Sequence, residues 1–219
     1  MKRHIDLSGR VENGLWAYDV LPGLSKIIPR ASIETIATVK ENDFFASKVT
    51  LSTVTGTYLE AGSHIRENGK TLDQYPVEDF IRPAKIIRLP RQGEKALIDE
   101  QLLAAHAPKI MKGDAVLVDS GWGLRWNSPG YVLQCPNFSK KAIEWILRND
   151  IGIFGTDVPC IESSRGGLLA AMFRKNVLLV APLVNLEKVK GNSGTIFCQP
   201  ISLKGTSGAP ARVVFEEDA

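Results

Sequence analysis

The sequence predicts a mixed α/β or α+β domain, strand-rich in its first half and βαβ-like in its second. Three observations predict this. Apolar and polar residues alternate in Ser32 to Val39 (SIETIATV) and Phe44 to Val54 (FFASKVTLSTV), the period of a half-buried strand rich in β-branched residues. Short apolar runs then alternate with helical periods from residue 139 onward. Neither a GxGxxG turn between a strand and a helix nor a GxxxxGK[ST] loop is present, so the loops rather than a nucleotide-binding turn are expected to form any site.

Taken in order, a first strand is expected around His4, followed by the two alternating segments. Further strands are expected at Lys85 to Leu89, Ala115 to Val118, Ile151 to Phe154, Val177 to Val180 and Ala211 to Phe215. Helical periodicity marks Ile98 to Ala107, Lys140 to Arg148 behind a Ser139 N-cap, and Gly167 to Arg174. No internal repeat, low-complexity stretch or linker interrupts the chain, and 219 residues with 44% hydrophobic content suffice for one core and a pocket, so one domain over residues 1–219 is expected.

Composition narrows the function classes. Lys and Arg total 27 against 24 Asp and Glu, and the net charge of +3 is spread without a polybasic run or aromatic-basic interleaving, so no nucleic-acid partner is expected. No apolar run reaches the roughly 20 residues that cross a bilayer, and the start MKRHIDLSGR lacks the apolar stretch of a secretory leader. The expected compartment is the cytoplasm. Cys135, Cys160 and Cys198 are odd in number and widely spaced, which predicts buried reduced thiols and not a disulfide framework or a CxxC zinc site. Cys160 follows a strand end in TDVPC, but a catalytic thiol needs a base, and no histidine follows His106.

The stretch Thr53 to Ile65, TVTGTYLEAGSHI, carries the candidate chemistry. On its residues alone, Thr55-Gly56-Thr57 is a tight turn. Glu60 and His64, at i and i+4, can meet on one face of a helix or within a compact loop. A carboxylate beside an imidazole orients it and raises its basicity, which is the minimum for general base work; a surface pair near a turn has the same spacing.

The stretch resembles the motif HxGTHxDxPxH of the cyclase and kynurenine formamidase family of hydrolases, aligned on Gly56, Thr57 and His64. The likeness extends over nearly the full chain, through HIDLSGRVENGLWAY, DSGWGLRWNSPGY at Asp119 to Tyr131, FGTDVPCIE at Phe154 to Glu162 and LKGTSGAPARVV at Leu203 to Val214. It implies a swivelling β/β/α domain, assembled as a homodimer or higher homo-oligomer with its site near the subunit interface, and zinc- or manganese-dependent hydrolysis of amide, lactam or lactone bonds. The metal ligands are not retained. The family's first two motif histidines fall on Val54 and Tyr58 and its aspartate on Glu60, while the final histidine, assigned there as an acid/base, is His64. A later histidine falls on Arg165 in SSRGGLL, and a glutamate falls on Ala181.

Without the resemblance, the inventory leads the same way. A catalytic zinc or manganese site takes three or more protein ligands, and this chain has only His4, His64 and His106, the first and last in ordinary surface or packing settings. No cofactor is expected, unless zinc or manganese is held by rearranged ligands.

The pocket so altered places Glu60 and His64 as acid and base and Tyr58 as a hydrogen-bond donor. Arg165 would be a partner for a carboxylate or oxyanion, Val54 and Ala181 apolar walls, and Trp16, Trp122 and Trp126 stacking surfaces for a planar substrate. Three readings stay open: a metal-independent hydrolase or lyase acting on a small aromatic or carboxylate-bearing molecule, a non-catalytic binder of such a ligand, and a metal hydrolase with rearranged ligands.

Overall fold

The computed structural model describes residues 1–162 and 167–218. Its strands are β1 (Lys2–Asp6), β2 (Ser32–Ala37), β3 (Ala46–Thr50), β4 (Tyr58–Glu60), β5 (Ile81–Arg88), β6 (Leu97–Ile98), β7 (Ala115–Asp119), β8 (Asn137–Phe138), β9 (Ile153–Thr156), β10 (Leu178–Ala181), β11 (Ser193–Pro200) and β12 (Gly208–Asp218). The helices are α1 (Val39–Asn42), α2 (Glu100–His106), α3 (Lys140–Leu147) and α4 (Leu168–Arg174), with short 3-10 turns between elements.

One sheet dominates. Its strands run β1-β12-β11-β5-β7-β9-β10-β4, and β4 also pairs with β12, so seven of the strands close into a barrel with β1 added outside the ring on β12. The centre of the sheet, β5-β7-β9-β10, is parallel, joined by crossovers that contain α2, α3 and α4. This is the βαβ order expected from the second half of the sequence. Parallel strands covered on both sides read as continuous apolar runs, and Ala115–Val118 and Ile153–Thr156 are buried at every position.

Alternation along each strand divides the apolar residues into two cores. Leu59, Ile86, Leu117, Ile153, Val180, Ile196, Val213 and Phe215 form one. Ile87, Val116, Val118, Phe154, Leu179 and Ala181 face the other way and pack with the helices. In α3 (KKAIEWIL) the buried Ala142, Ile143, Ile146 and Leu147 form a single stripe, and Ser139 Oγ accepts from Ala142 N at 3.1 Å, the expected N-cap.

Two expectations are corrected. The segments 32–39 and 44–54 do form strands, but β2 and β3 pair only with each other. A ribbon outside the main sheet covers neither of its own faces, so Ile36 (62% exposed) and Val49 (54%) are exposed rather than half-buried. The second correction is an omission: β4, β11 and the two-residue β6 and β8 are strands the periodicity did not mark. Three residues in β4 are too few to show a period, and in β11 (SGTIFCQP) glycine and proline interrupt it.

Candidate active site

The site is built on β4. Period-two alternation sends Leu59 into the Ile86 and Val213 core, while Tyr58 and Glu60 project to the helix side. β4 is held on both edges, with Glu60 opposite Leu179 and Gly208, and Tyr58 opposite Ala181 and Pro210. The preceding Thr57 hydroxyl donates to Pro182 O at 2.6 Å and accepts from Gly9 N at 3.0 Å, fixing the entry to the strand. Gly56 takes a left-handed φ of 68°, as the tight turn requires. After Glu60 the chain turns through a 3-10 segment, Gly62–His64, which brings the imidazole back over the carboxylate.

His64 Nδ1 lies 3.0 Å from Glu60 Oε1. The ring N–H is not directed along that line, so Oε1 has no aligned hydrogen bond although it is buried. The two groups are a close carboxylate–imidazole pair in which bent hydrogen bonding and charge attraction both favour the imidazolium. Burial acts to lower the His64 pKa, but the Glu60 carboxylate outweighs it and raises the value above 6.5.

Tyr58 and Glu60, with His64, form the polar corner of a cavity of about 330 Å³. Its other walls are apolar, including Leu24, Ile28, Val54, Leu169 and Leu179. Val54 is thus a wall as expected. Ala181 is not, because it lies 1% exposed in the sheet beside Tyr58. Pro159, Cys160 and Glu162 close the cavity from the segment beyond β9, the carboxyl end of a parallel strand, where open α/β sheets place ligands.

Two residues absent from the sequence-derived site belong to it. Tyr18 OH lies 3.0 Å from Tyr58 OH and donates to Pro159 O at 2.7 Å. A carbonyl only accepts, so Tyr18's single proton is committed to Pro159 and Tyr58 must donate to Tyr18. Tyr58 therefore turns an acceptor oxygen, not the expected donor, towards the cavity. Burial raises the pKa of both phenols well above 10, reinforced at Tyr58 by the Glu60 charge. Cys160 is the second. It shares the cavity with His64 because the fold unites segments about a hundred residues apart, which spacing along the chain could not show.

The three tryptophans stand elsewhere. Trp16, Trp126 and Tyr131 pack with ring centroids 5.1 to 5.8 Å apart, and Trp122 stacks on Tyr131 at 6.4 Å. Trp16 meets the edge of Tyr18 at 5.5 Å, so the cluster buttresses the cavity from behind and supplies none of its lining. Arg165 lies outside the described residues. His4 pairs with Glu216 and His106 Nδ1 contacts Leu102 O, the ordinary settings expected.

Asp157 organises the loops beyond β7 and β9. Its carboxylate, 2% exposed, accepts from Ser120 Oγ at 2.6 Å, Ser120 N at 3.1 Å and Gly123 N at 3.0 Å. Burial nevertheless raises its pKa from 3.8 to about 6. A larger groove of about 960 Å³ opens beside Thr57, Trp126 and Arg212, but its Arg212 pairs with Asp6 at 2.7 Å and it holds neither a buried carboxylate nor an imidazole.

A family model described as "Putative cyclase" matches residues 5–163. The chain belongs to the cyclase family. Among curated cyclase-family relatives, a kynurenine formamidase of Salinibacter ruber is 24% identical over 176 residues, covering 76% of this chain and 77% of the relative. One from Bacillus cereus is 24% identical over 170 residues, with 76% and 78% covered. Isatin hydrolase A from Ralstonia solanacearum superposes with a TM-score of 0.89 at 22% identity, over 99% of this chain and 92% of that one. A "predicted metal-dependent hydrolase from Bacillus stearothermophilus" gives 0.80 at 22%, with both chains fully covered. At this identity the superpositions establish the cyclase-family fold, in agreement with the swivelling β/β/α expectation.

The metal dependence named for that neighbour requires three or more protein ligands at one place. Among the described residues no three His, Cys, Asp or Glu side chains are grouped to hold an ion. Glu60 and His64 are adjacent, but Val54 and Tyr58 occupy the flanking positions and offer no imidazole or carboxylate. The described donor set does not fit a zinc or manganese centre.

Proposed function

We propose that this cavity is the active site of a divergent hydrolase or lyase, acting on a small aromatic or carboxylate-bearing molecule with Glu60 and His64 as the acid/base pair and without a metal. One observation carries the reading. A carboxylate 2% exposed presents an oxygen with no aligned hydrogen bond, beside an imidazole, in a mostly apolar cavity. A buried carboxylate oxygen whose close partner is a poorly aligned ring N–H is incompletely compensated for its burial. It is, however, the state a general base needs before substrate arrives.

In this reading Glu60 Oε1 takes a proton from the substrate or from a water. The imidazolium form of His64, favoured by its raised pKa, returns a proton to the leaving group. Tyr58 oxygen accepts an N–H or O–H of the substrate, and Arg165 pairs with a substrate carboxylate or an oxyanion. The apolar walls and the volume of about 330 Å³, at the small end for ligand pockets, suit a single flat ring system. Names of relatives support hydrolase chemistry on such molecules.

The test is a turnover screen of esters, lactones and N-acyl anilines. Glu60→Gln and His64→Ala are each expected to lower turnover by roughly 10²–10⁴-fold while the melting temperature stays within a few degrees. Unchanged turnover in both variants sinks the proposal. Saturable binding with no turnover in the parent protein would instead support the ligand-binding reading, and stoichiometric zinc or manganese in protein purified without chelators would overturn the metal-free part.

Assembly with copies of itself, in the cytoplasm, completes the proposal. The exposed apolar residues of the β2-β3 ribbon support it, since Ile36, Phe44, Phe45 and Val49 are each more than half exposed in the single chain.

A further inference from the structure

Two thiols meet on the wall of the cavity. Cys135 precedes β8, Cys160 follows β9, and Phe138 N donates to Ile161 O at 3.1 Å, so a backbone hydrogen bond clamps the two segments together. The Cys135 thiol donates to the Cys160 carbonyl oxygen at 3.7 Å, which brings the two residues into direct contact. Both line an open groove of about 940 Å³ together with Lys95 and Glu162, and Cys160 also lines the 330 Å³ cavity, so it stands between the two spaces. Cys160 is partly exposed, whereas Cys135 is 2% exposed at the base of the groove.

The pair differs from an inert core thiol. Cys198 is completely buried in the barrel, and burial alone pushes its pKa up. At the pair, one thiol supports ionisation of the other. The hydrogen bond from Cys160 lowers the Cys135 pKa and raises that of Cys160, and the Lys95 ammonium favours the thiolate at both. Such an arrangement sets a thiol that ionises more readily beside a second thiol able to resolve its oxidised form.

We propose that Cys135 and Cys160 form an oxidisable dithiol site that closes to a disulfide when a hydroperoxide enters the groove. A thiolate of the pair attacks the distal peroxide oxygen and the O–O bond breaks. That sulfur becomes a sulfenic acid, and the proton shared by the pair leaves with the alcohol, or with water when the oxidant is hydrogen peroxide. The second thiol then attacks the sulfenic sulfur, the S–S bond forms and water departs. In sum two thiols and one hydroperoxide give one disulfide, one alcohol and one water, with two electrons passing from sulfur to oxygen. A small thiol reverses the step by two exchanges.

The modification acts on the cavity through a short path. Pro159, next to Cys160, carries the carbonyl that takes the Tyr18 proton, and Tyr18 in turn holds Tyr58. The site is separate from the acid/base reading of Glu60 and His64, and its test needs no substrate.

The full-length protein is treated with a modest excess of hydrogen peroxide, quenched by alkylation in denaturant and mapped as non-reduced peptides. Of the 3 cysteines, only Cys198 is expected to remain alkylatable, with the Cys135 and Cys160 peptides linked and lighter by two hydrogens, and dithiothreitol is expected to restore all of them. In Cys135→Ser no intramolecular link forms, while Cys198→Ser links as the parent does. Three free thiols after treatment, sulfinic acid at Cys160 in the parent, or links only between molecules would each overturn the proposal. The parent map decides it even where a variant fails to fold.

Discussion

At the scale of single residues, the chemistry turns on how two side chains share charge. His64 has a folded pKa above 6.5 because the Glu60 carboxylate outweighs the burial of the ring. A histidine whose pKa is raised on folding adds stability that is fully present below the unfolded value and is lost as pH rises through the folded value. The imidazole resonance of His64 is therefore expected to titrate above 6.5, and turnover that needs the imidazolium should fall on the alkaline side of that midpoint. Glu60→Gln should move the midpoint downward, since burial then acts without a counter-charge; an NMR titration with no change between the two proteins would refute the pairing. The i, i+4 relation of these residues was legible in the sequence, and so was Val54 as an apolar wall. The direction of the Tyr58 proton was not, because it depends on Tyr18 and the Pro159 carbonyl, segments 40 and 101 residues away.

At the scale of elements, the strand ends decide where the site stands. Asp157, at the end of β9, ties its own loop to Ser120 and Gly123 after β7. Its pKa of about 6, raised from 3.8 by burial, means the folded protein binds the extra proton between those values. Its contribution to stability is thus complete below about 3.8 and is lost as pH rises through about 6, a change on the order of 3 kcal/mol. Denaturant titrations across that window should show the slope, and Asp157→Asn should flatten it. Within β9, a Cβ at Gly155 would meet Leu117 Cδ2 at 2.4 Å and Val180 Cγ1 at 3.0 Å. Gly155→Ala is accordingly expected to destabilise by about 1–3 kcal/mol, read as a lower denaturation midpoint at unchanged m-value. The helix cap at Ser139 and the parallel runs were legible because caps and apolar runs are local signals. β4 was hidden, since its pairing on both edges comes from β10 and β12, more than a hundred residues further on.

At the scale of the whole molecule, closure of the sheet by β4 puts Glu60 where a barrel strand meets the helix layer. The ribbon of β2 and β3 stands apart from that closure, and a lone two-stranded hairpin is marginal in water. Self-association through it predicts a sedimentation mass that is a multiple of the 24.0 kDa chain, reduced towards the single chain by Phe44→Ser with Phe45→Ser; a parent that sediments as a monomer throughout the micromolar range would refute it. The sequence by itself determined the longer helices and most of the long strands, the βαβ order, the resemblance to the cyclase family and the replacement of histidines at Val54 and Tyr58, because each is written in local pattern or residue identity. Only the tertiary structure decided that Glu60 keeps a buried oxygen without an aligned hydrogen bond, that the tryptophans support the cavity without lining it, and that Cys135 and Cys160 touch. Those facts arise where distant segments share one volume, and burial and hydrogen bonding are properties of that volume rather than of any stretch of chain.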